Sequence, residues 1–226
     1  MNLDSIRAQL EADFKWRQDE LRFLQNQGAS LSESDLEIYR RALIVILYAH
    51  FEGFCKFALT VYVNCINGAG IKCDQANYAL AAASLADLFA ALRNPTQKCA
   101  VFKNALPDDS KLHRFARDRE FVERASYFGD KIVNISDSVI DTESNLKPIV
   151  LRKILYQLGL PHDLFKPFDG SIDRLLGMRN KISHGETKSG VTRKNYDEIL
   201  AASFAVMTGI TIEITNALME RRFSRN

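Results

Sequence analysis

SDLEIYRRALIVILYAHFEGFCKFALTVYVNCIN, residues 34–67, is the stretch whose reading decides the fold class. Ser34-x-x-Glu37 offers a capping box at its start, apolar residues recur at helical spacing to about Ile66, and Asn67-Gly68 closes it. It is the longest candidate helix in the chain. Its neutral middle implies burial between neighbouring helices rather than a single dry face.

Working outward, the upstream segment Asp4–Gln27 places Ile6, Leu10, Phe14, Leu21 and Leu24 at helical spacing and stops at Gly28. Downstream, Ala76–Leu92 is rich in Ala and Leu and ends before Asn94-Pro95. Residues 111–127 are densely charged and read as a solvated helix. Lys131–Ile140 carries β-branched residues at 132, 133, 135, 139 and 140, the composition of a short strand or hairpin. Three further helices are predicted: Leu146–Leu158, ended by Gly159 and Pro161; Ser171–His184, ended by Gly185; and a long one capped by Thr192. The last bears Tyr196, Ile199, Leu200, Phe204, Met207, Ile210, Ile214 and Leu218. There is no strand–helix alternation and no glycine-rich phosphate loop. The expected architecture is an all-α bundle of antiparallel helices, a single domain over 1–226, with 68–150 a mid-chain, mostly helical insertion.

Composition narrows the function classes. The 226 residues hold 30 Lys+Arg against 28 Asp+Glu, a net charge of +2, with 46% apolar and 26% charged residues. That balance excludes a polybasic protein coating nucleic acid by bulk charge, and apolar content this high excludes an acidic disordered chain. The cysteines at 55, 65, 73 and 99 form no C-x-x-C pair, and the histidines at 50, 113, 162 and 184 add no metal-ligand spacing. No metal and no cofactor are therefore expected. The N-terminal twenty residues are charged throughout, unlike a signal peptide. The longest charge-free stretches, Phe57–Ile71 and Ile199–Ile212, are shorter than the roughly 18–20 apolar residues of a membrane span. A cytoplasmic protein with free thiols and no membrane contact is the resulting expectation.

One helix carries chemistry. In SIDRLLGMRNKISHG, residues 171–185, Ile172, Leu175, Leu176 and Ile182 form an apolar stripe, and Arg179 falls near its middle. Asn180 and His184 share the face beside it, and Lys181 points away. An arginine on an apolar stripe is costly unless its charge is paired or desolvated for a purpose, and its planar fork suits a phosphate. His184 lies in the last turn, where the helix dipole favours the imidazolium and a proton-transfer role becomes accessible. The competing reading has Arg179 paired with a core carboxylate and His184 capping the helix.

The stretch Arg179-Asn180-Lys181-Ile182-Ser183-His184 resembles the Arg-polar-x-x-x-His motif of the HEPN superfamily, all-helical domains that carry it on a late helix. A second segment, Arg41–Phe54 (RALIVILYAHFEGF), resembles the early long helix of a prokaryotic HEPN branch in which a glutamate follows a bulky aromatic. These two segments and the helix order cover about half the chain, and 68–150 carries no matching motif.

The resemblance implies a HEPN-like four-helix core and a metal-independent endoribonuclease, often a toxin or defence effector. It further implies a homodimer with two motifs facing each other across a composite cleft, an RNA substrate, and a cognate antitoxin as a partner. Attack of a ribose 2′-OH on the adjacent phosphate would give a cyclic phosphate and a free 5′-OH. Arg179 would stabilise the transition state, His184 would move the proton, and Asn180 would orient His184 or the phosphate. Glu52 would polarise His184 or pair with Arg179; the plainer alternative is an i, i+4 pair with Lys56. His50 reads as a core or interface histidine. The alternative function is a non-catalytic HEPN module that binds RNA, a nucleotide or a protein.

Charge distribution points the same way. Residues 174–194 carry Arg174, Arg179, Lys181, Lys188, Arg193 and Lys194 against Glu186, a net of +5, whereas residues 1–40 sum to −3. Lys181, Lys188, Arg193 and Lys194 are the candidate RNA-backbone contacts; a basic solvated loop is the bland alternative. The C-terminal Arg221–Arg225 reads as a frayed tail.

Overall fold

In a computed structural model, which describes residues 2–102 and 110–225, the described chain is all-helical. Eight α-helices follow in order: α1 Leu3–Gln27, α2 Glu33–Asn67, α3 Tyr78–Ser84, α4 Ala86–Arg93, α5 Ser110–Ala125, α6 Pro148–Gln157, α7 Asp169–Ser183 and α8 Arg193–Met219. Two 3-10 turns, Asp137–Val139 and Lys166–Phe168, lie between them.

The core is built by α1, α2, α7 and α8, which pack on one another around α2. Leu43, Ile44, Leu47, Phe51, Phe54, Leu59 and Ile66 of α2 bury against Leu10 and Leu21 of α1, Leu175 and Leu176 of α7, and Ile199, Val206, Ile210 and Ile214 of α8. Buried residues cover most of the circumference of α2, leaving one exposed stripe that includes Ile38, Ala42, Ala49 and Lys56. By length and mean hydropathy alone, α2 and α8 would each suffice to cross a membrane. Here they are packed against each other. The sequence expectation looked only at charge-free runs, and these helices exceed a span's length once one or two charges are admitted.

The structure differs from the sequence reading at one helix cap and, elsewhere, where tertiary bonds outweigh local preference. The cap of α2 is Ser32, not Ser34: its Oγ accepts from Asp35 N at 3.3 Å, and Glu33 and Asp35 place two acids in the first turn. The Ala/Leu-rich stretch at 76–92 bends at Leu85 into α3 and α4. There the Ser84 carbonyl accepts from Lys131 Nζ at 2.8 Å and Ser84 Oγ accepts from Asn134 N at 3.0 Å, which fixes the turn.

No strand forms at Lys131–Ile140; among the described residues only isolated bridges occur, one of them Lys72 with Ile132. The Asn67 side-chain amide takes the place of a neighbouring strand. Its Oδ1 accepts from Ile135 N at 2.8 Å and its Nδ2 donates to Ile135 O at 3.0 Å. The β-branched Val133, Ile135 and Ile140 then plug into the core as loop residues.

The C-terminus is pinned rather than frayed. Phe223 is only 3% exposed, Arg225 N donates to Gln75 O at 2.7 Å, and the Arg225 guanidinium stacks 3.9 Å from the Tyr78 ring centre. Phe223→Ala is therefore expected to lower stability by about 3 kcal/mol, read as a shift in the urea unfolding midpoint. A truly frayed tail would leave the midpoint unchanged.

Candidate functional site

The site forms where the end of α7 meets the middle of α2. Helix α7 buries Ile172, Leu175 and Leu176 and carries Arg179 in line with that stripe, half-buried. The helix stops because Gly185 adopts φ +69°, a left-handed conformation that costs glycine nothing. Gly185 N donates to Ile182 O at 3.1 Å and Glu186 N donates to Lys181 O at 2.8 Å, the paired bonds of a Schellman terminus. His184 is thereby set at the helix C-cap, with its imidazole exposed.

Tyr48 and Glu52 lie one turn apart on α2. Tyr48 is buried, and its hydroxyl accepts from Leu146 N at 2.8 Å. Its ring lies under the Arg179 guanidinium, whose central carbon sits 4.4 Å from the ring centroid. Arg179 Nη1 donates to Asn180 Oδ1 at 2.7 Å and to Asn145 Oδ1 at 3.2 Å. Among the described residues Nε and Nη2 have no hydrogen-bond partner, yet neither is one of the buried unpartnered atoms. The cation is thus gripped on one side by an aromatic face and two neutral amides, while the Nε–Nη2 edge stays open. That edge is the one an arginine uses for bidentate contact with an oxyanion.

Of the alternatives left by the sequence, the core-carboxylate partner for Arg179 is not formed among the described residues. Nor is the Glu52–Lys56 pair. Glu52 instead faces the Tyr48 hydroxyl: burial first, and the Glu52 carboxylate second, push the Tyr48 phenol up to about 12. Asn180 is turned to Arg179 and not to His184. His50 lies elsewhere on α2, buried, with Nε2 3.0 Å from Glu20 Oε2 and its ring edge-on to Trp16; burial lowers its pKa.

The raised phenols carry a pH dependence. Tyr48 and Tyr196 each titrate near 12 against an ordinary 10.0, both chiefly because burial disfavours the phenolate. A folded pKa above the unfolded one stabilises fully below the unfolded value, and that contribution disappears as pH rises through the folded value. Stability should therefore decline between about pH 10 and pH 12, followed by urea midpoints. Tyr48→Phe should shrink that decline while lowering the midpoint at neutral pH, because Leu146 N–H loses its acceptor.

The basic stretch is divided by its partners. Arg174 pairs with Glu198 at 2.9 Å and Arg193 with Asp197 at 3.5 Å, both on the surface. Lys181, Lys188 and Lys194 are exposed. The loop after His184 is tied to α2: Arg41 Nη2 donates to Thr187 O at 2.7 Å, and Val191 N donates to Glu37 O at 2.8 Å.

Sequence reasoning missed Tyr48, Asn145 and the clamping role of Arg41. Tyr48 had a signal, since it stands four residues before Glu52 in the very segment that carries the resemblance. Asn145 had none. Among the described residues no three His, Cys, Asp or Glu side chains gather as a metal site, and all four cysteines are free thiols.

The all-helical bundle and the Arg-Asn-x-x-x-His sequence at the end of a late core helix agree with the resemblance to HEPN domains. The chain belongs, more narrowly, to the HEPN_MAE_28990-like HEPN family, whose model matches residues 6–223. The match runs through the mid-chain helices as well as the core. No curated protein and no solved structure matches the chain.

Proposed function

We propose that this protein is a metal-independent endoribonuclease of toxin or defence type, acting as a homodimer that juxtaposes two Arg179–His184 sets. The observation that carries the reading is Arg179: a half-buried cation held by neutral groups, its bidentate edge unoccupied, one turn from an exposed histidine. A structural arginine at such a position would face a carboxylate.

In the proposed reaction the ribose 2′-oxygen attacks the adjacent phosphorus. A new P–O2′ bond forms, the P–O5′ bond breaks, and the products end in a 2′,3′-cyclic phosphate and a 5′-hydroxyl. The Arg179 Nε–Nη2 edge binds the non-bridging oxygens as charge develops on them. His184 removes the 2′-OH proton, and its equivalent across the two-fold delivers one to the leaving oxygen. Asn180 holds Arg179 in orientation, and Glu52 adds negative potential beneath the cation through Tyr48. Lys181, Lys188 and Lys194 guide the RNA backbone, with Arg193 joining them after release from Asp197. A cognate antitoxin would act by covering this face.

The second reading, a non-catalytic RNA-binding HEPN module, is favoured by one feature: the His184 imidazole makes no hydrogen bond within the described chain. Incubation of the purified protein with structured RNA and a chelator, followed by mapping of product ends, separates the two. Cyclic-phosphate and 5′-hydroxyl ends are expected. Intact RNA that nonetheless binds with salt-sensitive affinity would leave the binding module.

A further inference from the structure

The segment Asp141–Lys147 (DTESNLK) belongs to the mid-chain region without a recognisable motif, and its backbone is unusual. Glu143 and Ser144 are consecutive left-handed residues at φ 51° and 61°. Asn145 N donates to Thr142 O at 2.9 Å, closing a two-residue turn of the kind that Asn-Gly normally fills. Neither a glutamate nor a serine favours that conformation, so the surroundings must impose it.

Several contacts do so. Asp141 Oδ1 accepts from Glu143 N at 2.8 Å, Lys153 of α6 pairs with the Glu143 carboxylate, and Lys147 N donates to Asn145 O at 2.8 Å. Pro148 then starts α6 at a position where no N–H is needed. The result is that two successive residues reach the site from one turn. Asn145 Oδ1 accepts from Arg179, and Leu146 N–H donates to the Tyr48 hydroxyl that anchors the ring beneath it.

We infer that the turn Asp141–Lys147 is a positioning element of the site, and that Asn145 is the residue that aims the Arg179 fork at an RNA phosphate. The chemistry of the acceptor matters. A carboxylate at 145 would pair with the guanidinium and cancel the charge a phosphate requires, whereas an amide fixes its direction and leaves the charge intact. This inference rests on the phosphate-binding reading of Arg179, and it does not require that the RNA be cut.

The test uses the full chain and a fluorescently labelled RNA oligonucleotide, fully 2′-O-methylated so that 2′-OH attack is blocked, with binding followed by anisotropy. Asn145→Ala and Arg179→Ala should each weaken binding about tenfold, and the double variant should be no weaker than Arg179→Ala alone. Asn145→Asp should melt at or above the wild-type temperature and yet bind at least as poorly as Asn145→Ala. A merely structural asparagine would let Asn145→Asp bind as wild type does, and that result would overturn the inference. Additive losses in the double variant would overturn it too. If Arg179→Ala weakens binding while the Asn145 variants do not, the turn's role falls and the phosphate reading stands. If Arg179→Ala binds as tightly as wild type, both fall. Cleavage of the unmodified oligonucleotide, assayed beside these, judges the ribonuclease reading separately.

Discussion

Arg179→Ala is expected to reduce RNA cleavage by about two to three orders of magnitude, with the melting temperature moving by only a few degrees. The first half follows from what the side chain offers. Its Nε–Nη2 edge is open, and no protein anion competes for it among the described residues. Removing it takes away the positive charge proposed to meet a phosphorane-like transition state. The second half follows from how it is held. A stacked guanidinium contributes about 1 kcal/mol at a half-exposed site, and its two amide partners can turn to water once it is gone. A buried ion pair would behave differently, since losing one member strands the other at about 3–5 kcal/mol. Thermal denaturation beside a single-turnover cleavage assay therefore distinguishes a catalytic arginine from a structural one.

His184→Ala is expected to reduce cleavage by about two to four orders of magnitude, with neither the fold nor RNA affinity affected. The imidazole is exposed at the C-cap, so its truncation should create no cavity in the core. Binding of a 2′-O-methylated RNA should stay within about twofold of wild type, because the backbone-facing charges are intact. The contrast between the two variants is the useful part. Losing Arg179 weakens ground-state binding as well as the rate, whereas losing His184 touches only the proton transfer. Equal losses in affinity for both would argue that His184 is a contact residue and not a proton carrier.

The long helix α2 and the terminus of α7 were legible because their signals are local. Apolar spacing runs unbroken from Leu36 to Ile66, and Gly185 follows directly on the last helical turn. Thr192 likewise caps α8 where it was placed, its Oγ1 accepting from Asn195 N. The misread segments share a different cause. At Ser84, at Ile135 and at Phe223 the deciding bonds come from residues distant in the chain: Lys131, Asn67 and Asn77. Propensity carries no trace of them.

The site divides along the same line. Arg179, Asn180 and His184 sit within one helical turn or so and could be grouped from sequence. The grip on Arg179 could not. Tyr48 meets Leu146 across 98 positions, and Asn145 reaches Arg179 across 34. Both contacts depend on a turn whose two left-handed residues have ordinary side chains, so no glycine marked it. Region 68–150 thus looked silent although its last residues touch the candidate chemistry.

The most direct test compares wild type, Arg179→Ala and His184→Ala, each shown to be folded, for cleavage of one structured RNA in the presence of a chelator. The account predicts cutting by wild type and a loss of at least about a hundredfold in each variant. Equal cleavage by all three folded proteins would contradict it.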